Sequence, residues 1–72
     1  MKIIYTDHAK DRITERFIKK EWVRKALKNP DRLIDIEYGR KQAIKKINGN
    51  KISVVYVEEN HDMIVITVYW GE

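Results

Sequence analysis

The hydrophobic period of this chain changes once, at Asn29-Pro30, and no other feature constrains its fold as strongly. Upstream, apolar residues recur at helical spacing: Ala9, Ile13 and Phe17, then Trp22, Val23, Ala26 and Leu27. Residues so spaced share one face of a helix of about 3.6 residues per turn. Downstream, apolar and polar residues alternate, as they do along a strand with one buried side. Asn tolerates a left-handed backbone and Pro cannot continue a helix, so the pair is a stop signal. Helices first and strands afterwards make an α+β fold, with the helices layered on one side of an antiparallel sheet.

The spacing predicts a first helix over 7–17, opened by Thr6 or Asp7, whose side-chain oxygens accept from exposed backbone N–H groups. A second helix is expected over 19–28, with Glu21 and Lys25 as a favourable pair on its outer side. Ile3-Ile4-Tyr5 is a short strand or an extended lead-in. Strands are expected over 32–37, 41–47, 52–58 and 63–70, with Tyr38-Gly39-Arg40 as a turn. Asn48-Gly49 is a strong hairpin signal, because a type I′ turn needs positive φ at both central positions. A two-residue loop there groups Ala43 and Lys45 with Ile52, Val54 and Tyr56; a three-residue loop groups Ile44 and Lys46 with them. In the last strand Ile64, Ile66, Val68 and Trp70 share one face, which the helices should cover, and Val65, Thr67 and Tyr69 share the other. The expectation is a meander of three or four antiparallel strands under two helices.

At 72 residues the chain is one small domain, 1–72, with a core worth only a few kcal/mol of net stability unless self-association or a partner adds more. It has no cysteine, hence no disulfide framework and no thiolate metal site, which suits a reducing cytoplasm. No apolar run is long enough to span a membrane, and Met1-Lys2 leads directly into a strand-like segment without a signal peptide.

The net charge of +4 is unevenly spread. Residues 1–30 carry +5 and residues 58–72 carry −4, while 38–57 hold Arg40, Lys41, Lys45, Lys46 and Lys51 without any acid. A concentrated basic surface fits RNA, DNA, an anionic membrane or an acidic protein, and it equally fits a solvated lysine-rich face. Exposed lysines on strands also discourage edge-to-edge aggregation, an ordinary reason for Lys41 and Lys51.

One short stretch, Thr6 to Arg16, goes beyond folding needs. It sets His8, Arg12 and Arg16 at i, i+4 and i+8, one stripe along the first helix. Histidine as a class moves protons near neutral pH, and arginine neutralises phosphate charge. A helix start also attracts anions. Each residue has a plainer reading as well: His8 as a surface residue near a cap, and Arg12 as the partner of Glu15. Arg16 has no acid three or four positions away, so an anion or solvent must meet its charge. Tyr69 and Trp70 beside basic residues could stack on bases. There is no glycine-rich phosphate loop, no His/Asp/Glu cluster at metal-ligand spacing and no Ser-His-Asp pattern. Any catalysis is therefore expected to be free of metal and cofactor, run on His, Arg, Lys, Tyr and Thr.

The order His8-Ala9-x-x-Arg12-Ile13-x-x-Arg16, Asn29-Pro30, Tyr38-Gly39-Arg40, a Lys-Ile-Asn-Gly hairpin and a closing Ile66-Thr67-Val68-Tyr69-Trp70 resembles a family of small prokaryotic domains of uncharacterised function. That family is related to BrnT-type toxins and more distantly to RelE- and ParE-type toxins. The resemblance implies a RelE-like fold and metal-independent RNA cleavage by a toxin held in check by an antitoxin protein. It implies a site of His8, Arg12 and Arg16, a basic residue from the Arg40 to Lys46 strand, here Lys46, and Thr67 and Tyr69 at the end. His8 would be general acid or base, the arginines and Lys46 would neutralise the phosphoryl oxygens, and Thr67 and Tyr69 would orient phosphate or base. Arg40, Lys41, Lys45 and Lys46 would hold the RNA, and self-association is open. Two positions depart from the family pattern: Phe17 where a helix-ending Gly is common, and Lys19 where a capping Ser or Thr is common. Both bear on the helix junction.

Overall fold

The computed structural model describes residues 2–71. Its elements run β1 (Ile3–Tyr5), α1 (Asp7–Glu15), α2 (Lys20–Lys28), β2 (Arg32–Asp35), β3 (Lys41–Ile47), β4 (Asn50–Glu59) and β5 (Asp62–Trp70), with a 3₁₀ turn at Glu37–Gly39 between β2 and β3. The fold is α+β, with two helices as expected. The sheet has five strands rather than three or four, in the order β1-β5-β4-β3-β2. It is also mixed. β2 to β5 form the expected antiparallel meander, while β1 joins the outer edge of β5 in parallel, pairing Ile3, Ile4 and Tyr5 with Met63, Ile64 and Val65. Three residues are too few to display a period, so the sequence offered a short strand or an extended lead-in here but not its parallel place beside β5.

Both helices pack on one face. Ala9, Ile13, Ile18, Val23, Ala26 and Leu27 form the core with Ala43, Ile47, Ile52, Val54, Tyr56, Met63, Val65 and Val68. α2 lies over β3 and β4, and α1 over β5 and β1. α1 ends two residues before the expected Phe17. Ile18 N–H bonds Ile13 C=O at 3.0 Å and Phe17 N–H bonds Thr14 C=O at 3.4 Å. Those two bonds are the Schellman ending, which puts a left-handed residue at the turn and brings the next apolar side chain back onto the helix. Phe17 is that residue, at φ 55, and its ring is 86% exposed. Ile18 takes the inward place that the period assigned to Phe17. Lys19 opens α2 without any side-chain cap bond.

The β3–β4 hairpin uses the two-residue loop. Ile47 pairs with Asn50, and Asn48 and Gly49 both have positive φ. Lys45 therefore shares the helix side with Ile52, and Lys46 turns to the open side with Lys51.

A bulge in β5 overturns the expected face of that strand. Val55 pairs with Thr67 but Tyr56 pairs with Val65, so Ile66 has no partner. The extra residue shifts the alternation by one. Met63 and Val65 join Val68 on the helix face and are buried, while Ile64 and Ile66 are only half-buried and outside the core.

Candidate functional site

β1 covers only the first third of β5's outer edge, and α1 takes over where β1 stops. Thr6 makes the change of direction. Its N–H donates to Val65 C=O at 3.1 Å, its hydroxyl donates to Ile66 C=O at 3.2 Å, and the same oxygen caps α1 by accepting from Ala9 N–H at 3.1 Å. At the far end, Arg16 Nη1 donates to Val68 C=O at 2.9 Å and Trp70 Nε1 donates to Arg16 C=O at 3.0 Å. Edge carbonyls of a sheet need partners. Here side chains of α1 and its cap supply them, and the helix is pinned along the strand at both ends.

This placement joins two groups of residues that alternation alone keeps on opposite sides. Thr67 and Tyr69 point to the sheet face away from the core, and His8, Arg12 and Arg16 meet them from around the edge. Together with Trp70 these residues line an open groove of about 630 Å³. Five of the six expected catalytic residues are thus gathered in one place. The edge geometry that such a meeting requires is what the short parallel β1 and the bulge at Ile66 provide.

The cations of the groove are held differently. Arg12 is half-buried and pairs with Glu15, as its spacing indicates. Arg16 meets the neutral carbonyl of Val68, which orients the guanidinium without cancelling its charge. His8 sits exposed in the first turn of α1, beside the helix start. Tyr69 Oη accepts from Gln42 Nε2 at 2.9 Å, and Gln42 Nε2 also reaches Ser53 Oγ at 3.3 Å. Ser53, fully buried, donates to Gly71 C=O. Because the phenol oxygen is the acceptor from Gln42, its own proton stays available to the groove.

The expected strand cations do not converge on this groove. Lys46 lies on the open face but two strands from Tyr69, and it is not among the lining residues. Lys45 lies on the helix side, bonded to Asp31 at 3.3 Å, and Lys41 pairs with Glu58 at 3.0 Å. Arg40 precedes β3 at the opposite end of the sheet. Asp31 also accepts Lys46 N–H at 2.8 Å. That backbone bond, aided by Lys45, holds its carboxyl below the ordinary carboxylate value despite some desolvation. Lys45 instead contributes to a second, basic depression of about 430 Å³ with Glu21, Arg24, Lys25, Lys28 and Asn29.

Trp70 lines the groove, where the sequence offered it only as a surface for stacking, and Gln42, which backs Tyr69 from outside the lining, went unassigned. Trp70 is the last residue of its strand, where alternation gives no hint of an edge contact. Gln42 lies two strands from Tyr69 on the same face, a relation that appears only once the two-residue hairpin is chosen. No group of three or more His, Cys, Asp or Glu side chains that could hold a metal ion occurs among the described residues. No helix there is long and apolar enough to cross a membrane.

A family described as a domain of unknown function (DUF4258) matches residues 5–70. No curated protein and no solved structure matches the chain.

Proposed function

Since that match spans nearly all of it, the chain belongs to the DUF4258 family, and we propose that it is a metal-independent ribonuclease of the toxin type. The observation that carries this reading is the groove, where a histidine and two arginines from one helix face a threonine and a tyrosine from a strand more than fifty residues away. These are the residue types that phosphodiester transfer needs without a metal: a proton carrier, fixed cations and hydroxyl donors.

In the proposed reaction the RNA 2′-hydroxyl attacks the adjacent phosphorus and the bond from phosphorus to the 5′-oxygen breaks. The products are a 2′,3′-cyclic phosphate and a free 5′-hydroxyl. His8 takes the 2′-hydroxyl proton or returns one to the leaving oxygen. Arg16 and Arg12 stabilise the negative charge gathering on the phosphoryl oxygens. Tyr69, backed by Gln42, and Thr67 donate hydrogen bonds that orient the phosphate. Trp70 offers an aromatic surface at the groove's end. Lys46, Lys45, Lys41 and Arg40 stand outside the groove and act at most on RNA beyond the scissile bond. The motif resemblance to BrnT-type and RelE-type toxins supports a RelE-like arrangement, an antitoxin protein as partner and a cytoplasmic setting.

Purified protein incubated with cellular RNA in EDTA is expected to cleave it, and His8→Ala to lose most of that cleavage, by about 100-fold or more. Intact RNA with wild type, or equal cleavage by His8→Ala, would sink the proposal. Salt-sensitive RNA binding without cleavage would make the domain a binding module.

A further inference from the structure

Ser53 is fully buried on the sheet face away from the helices, next to the groove. The register pairs it with Tyr69 on β5 and sets Gln42 of β3 opposite Val55, two residues along. That diagonal between neighbouring strands is about 7–8 Å, which a long side chain spans. Gln42 Nε2 therefore reaches Ser53 Oγ at 3.3 Å and, beyond it, Tyr69 Oη at 2.9 Å. Gly71, just past β5, turns back at φ 94, a left-handed conformation that suits glycine. Its N–H donates to Lys51 C=O at 2.7 Å, and its own carbonyl accepts from Ser53.

These bonds run in one direction only. A carbonyl has no proton to give, so Ser53 must donate to Gly71. The Ser53 oxygen is then left as an acceptor, and one Gln42 N–H fills it. The second N–H of the same nitrogen goes to Tyr69 Oη. A reversed amide would set its oxygen against an oxygen whose proton is already spent, two acceptors facing each other in a buried place. The backbone carbonyl at one end thus fixes the sense of every bond up to the phenol. No described residue accepts the Tyr69 proton, and Tyr69 lines the groove together with Arg16.

We infer that Gln42 and Ser53 are positioning residues that, anchored on the Gly71 carbonyl, hold the Tyr69 phenol as a one-way hydrogen-bond donor to an anionic oxygen in the groove. Such a donor selects an acceptor, so a phosphoryl oxygen fits it and the N–H of a base does not. Arg16, held by the Val68 carbonyl, is a second donor fixed by a backbone acceptor. Donors fixed in advance need no reorganisation when negative charge develops. Uptake of the 2′-hydroxyl proton then falls to His8. That the held phenol serves RNA cleavage rests on the ribonuclease reading; the sense of the hydrogen-bond chain does not.

Two measurements keep these apart, with far-UV circular dichroism confirming that each variant folds. The Raman doublet of tyrosine reports how far a phenol oxygen accepts or donates, and subtracting the spectrum of the matching Tyr69→Phe protein isolates one of the four tyrosines. Gln42→Glu, whose carboxylate only accepts, should move the Tyr69 doublet toward the donor pattern. Inorganic phosphate should move it the same way in wild type. An unchanged doublet in Gln42→Glu would overturn the chain, and one untouched by phosphate would overturn its anionic partner. In cleavage of a short RNA, Gln42→Met and Ser53→Ala should each lower kcat by about fivefold to tenfold with KM nearly unchanged. Gln42→Met combined with Tyr69→Phe should be no slower than Tyr69→Phe alone, because Gln42 acts only through the phenol. A slower double variant, or Gln42→Met at the wild-type rate, would overturn the positioning role. Both doublet shifts in a protein that cleaves no RNA would support the held donor and remove the ribonuclease.

Discussion

Phe17 holds a helix-ending position that favours glycine, and its side chain gains nothing there in packing. A bulky residue in the left-handed region costs about 1 kcal/mol. Phe17→Gly is therefore expected to stabilise the fold by about that amount, seen as a higher urea midpoint at unchanged slope. Tyr56 shows the opposite economy, a titratable group inside the core at 3% exposure. Burial pushes its phenol above the usual tyrosine value, while the nearby Lys41 ammonium pulls it part of the way back. Burial raises Tyr5 in the same way, and Glu58 raises Lys41. With folded values above unfolded ones, these groups give full stability below about pH 10. They withdraw it as the pH climbs through the raised values, since the unfolded chain loses its protons first. Urea midpoints should fall across that alkaline window, and Tyr56→Phe should make the fall shallower.

At the scale of elements, the site depends on how α1 is pinned along β5. Thr6 does two jobs at once, capping the helix and satisfying the Ile66 carbonyl. Thr6→Ala should cost about 1–2 kcal/mol, with Thr6→Ser recovering most of it, measured by chemical denaturation. The helices, the meander and the Asn48-Gly49 turn were legible because long periods and turn chemistry act locally. Ile3–Tyr5 was offered as a short strand, but its place in the sheet was not legible, since it pairs in parallel with residues sixty positions away. The bulge at Ile66 was not legible either. It adds one residue without a glycine to mark it, and it moves Val65 inward and Ile64 outward. The stripe of His8, Arg12 and Arg16 was visible in the spacing. Its meeting with Thr67 and Tyr69 was not, because that requires the sheet edge which β1 and the bulge create together.

At the scale of the whole molecule, the helices occupy one side of the sheet, and α1 reaches around its edge to set His8, Arg12 and Arg16 against Thr67 and Tyr69. All of this rests on the groove acting as one catalytic site. The most direct measurement is mass spectrometry of a short RNA cut in EDTA, beside the same oligonucleotide carrying 2′-deoxyribose at the cleavage position. The expected result is a 2′,3′-cyclic phosphate and a 5′-hydroxyl from the RNA alone, with His8→Ala and Tyr69→Phe both slowed. Products ending in 3′-hydroxyl and 5′-phosphate, cleavage of the deoxy substrate, or an RNA left whole would contradict it.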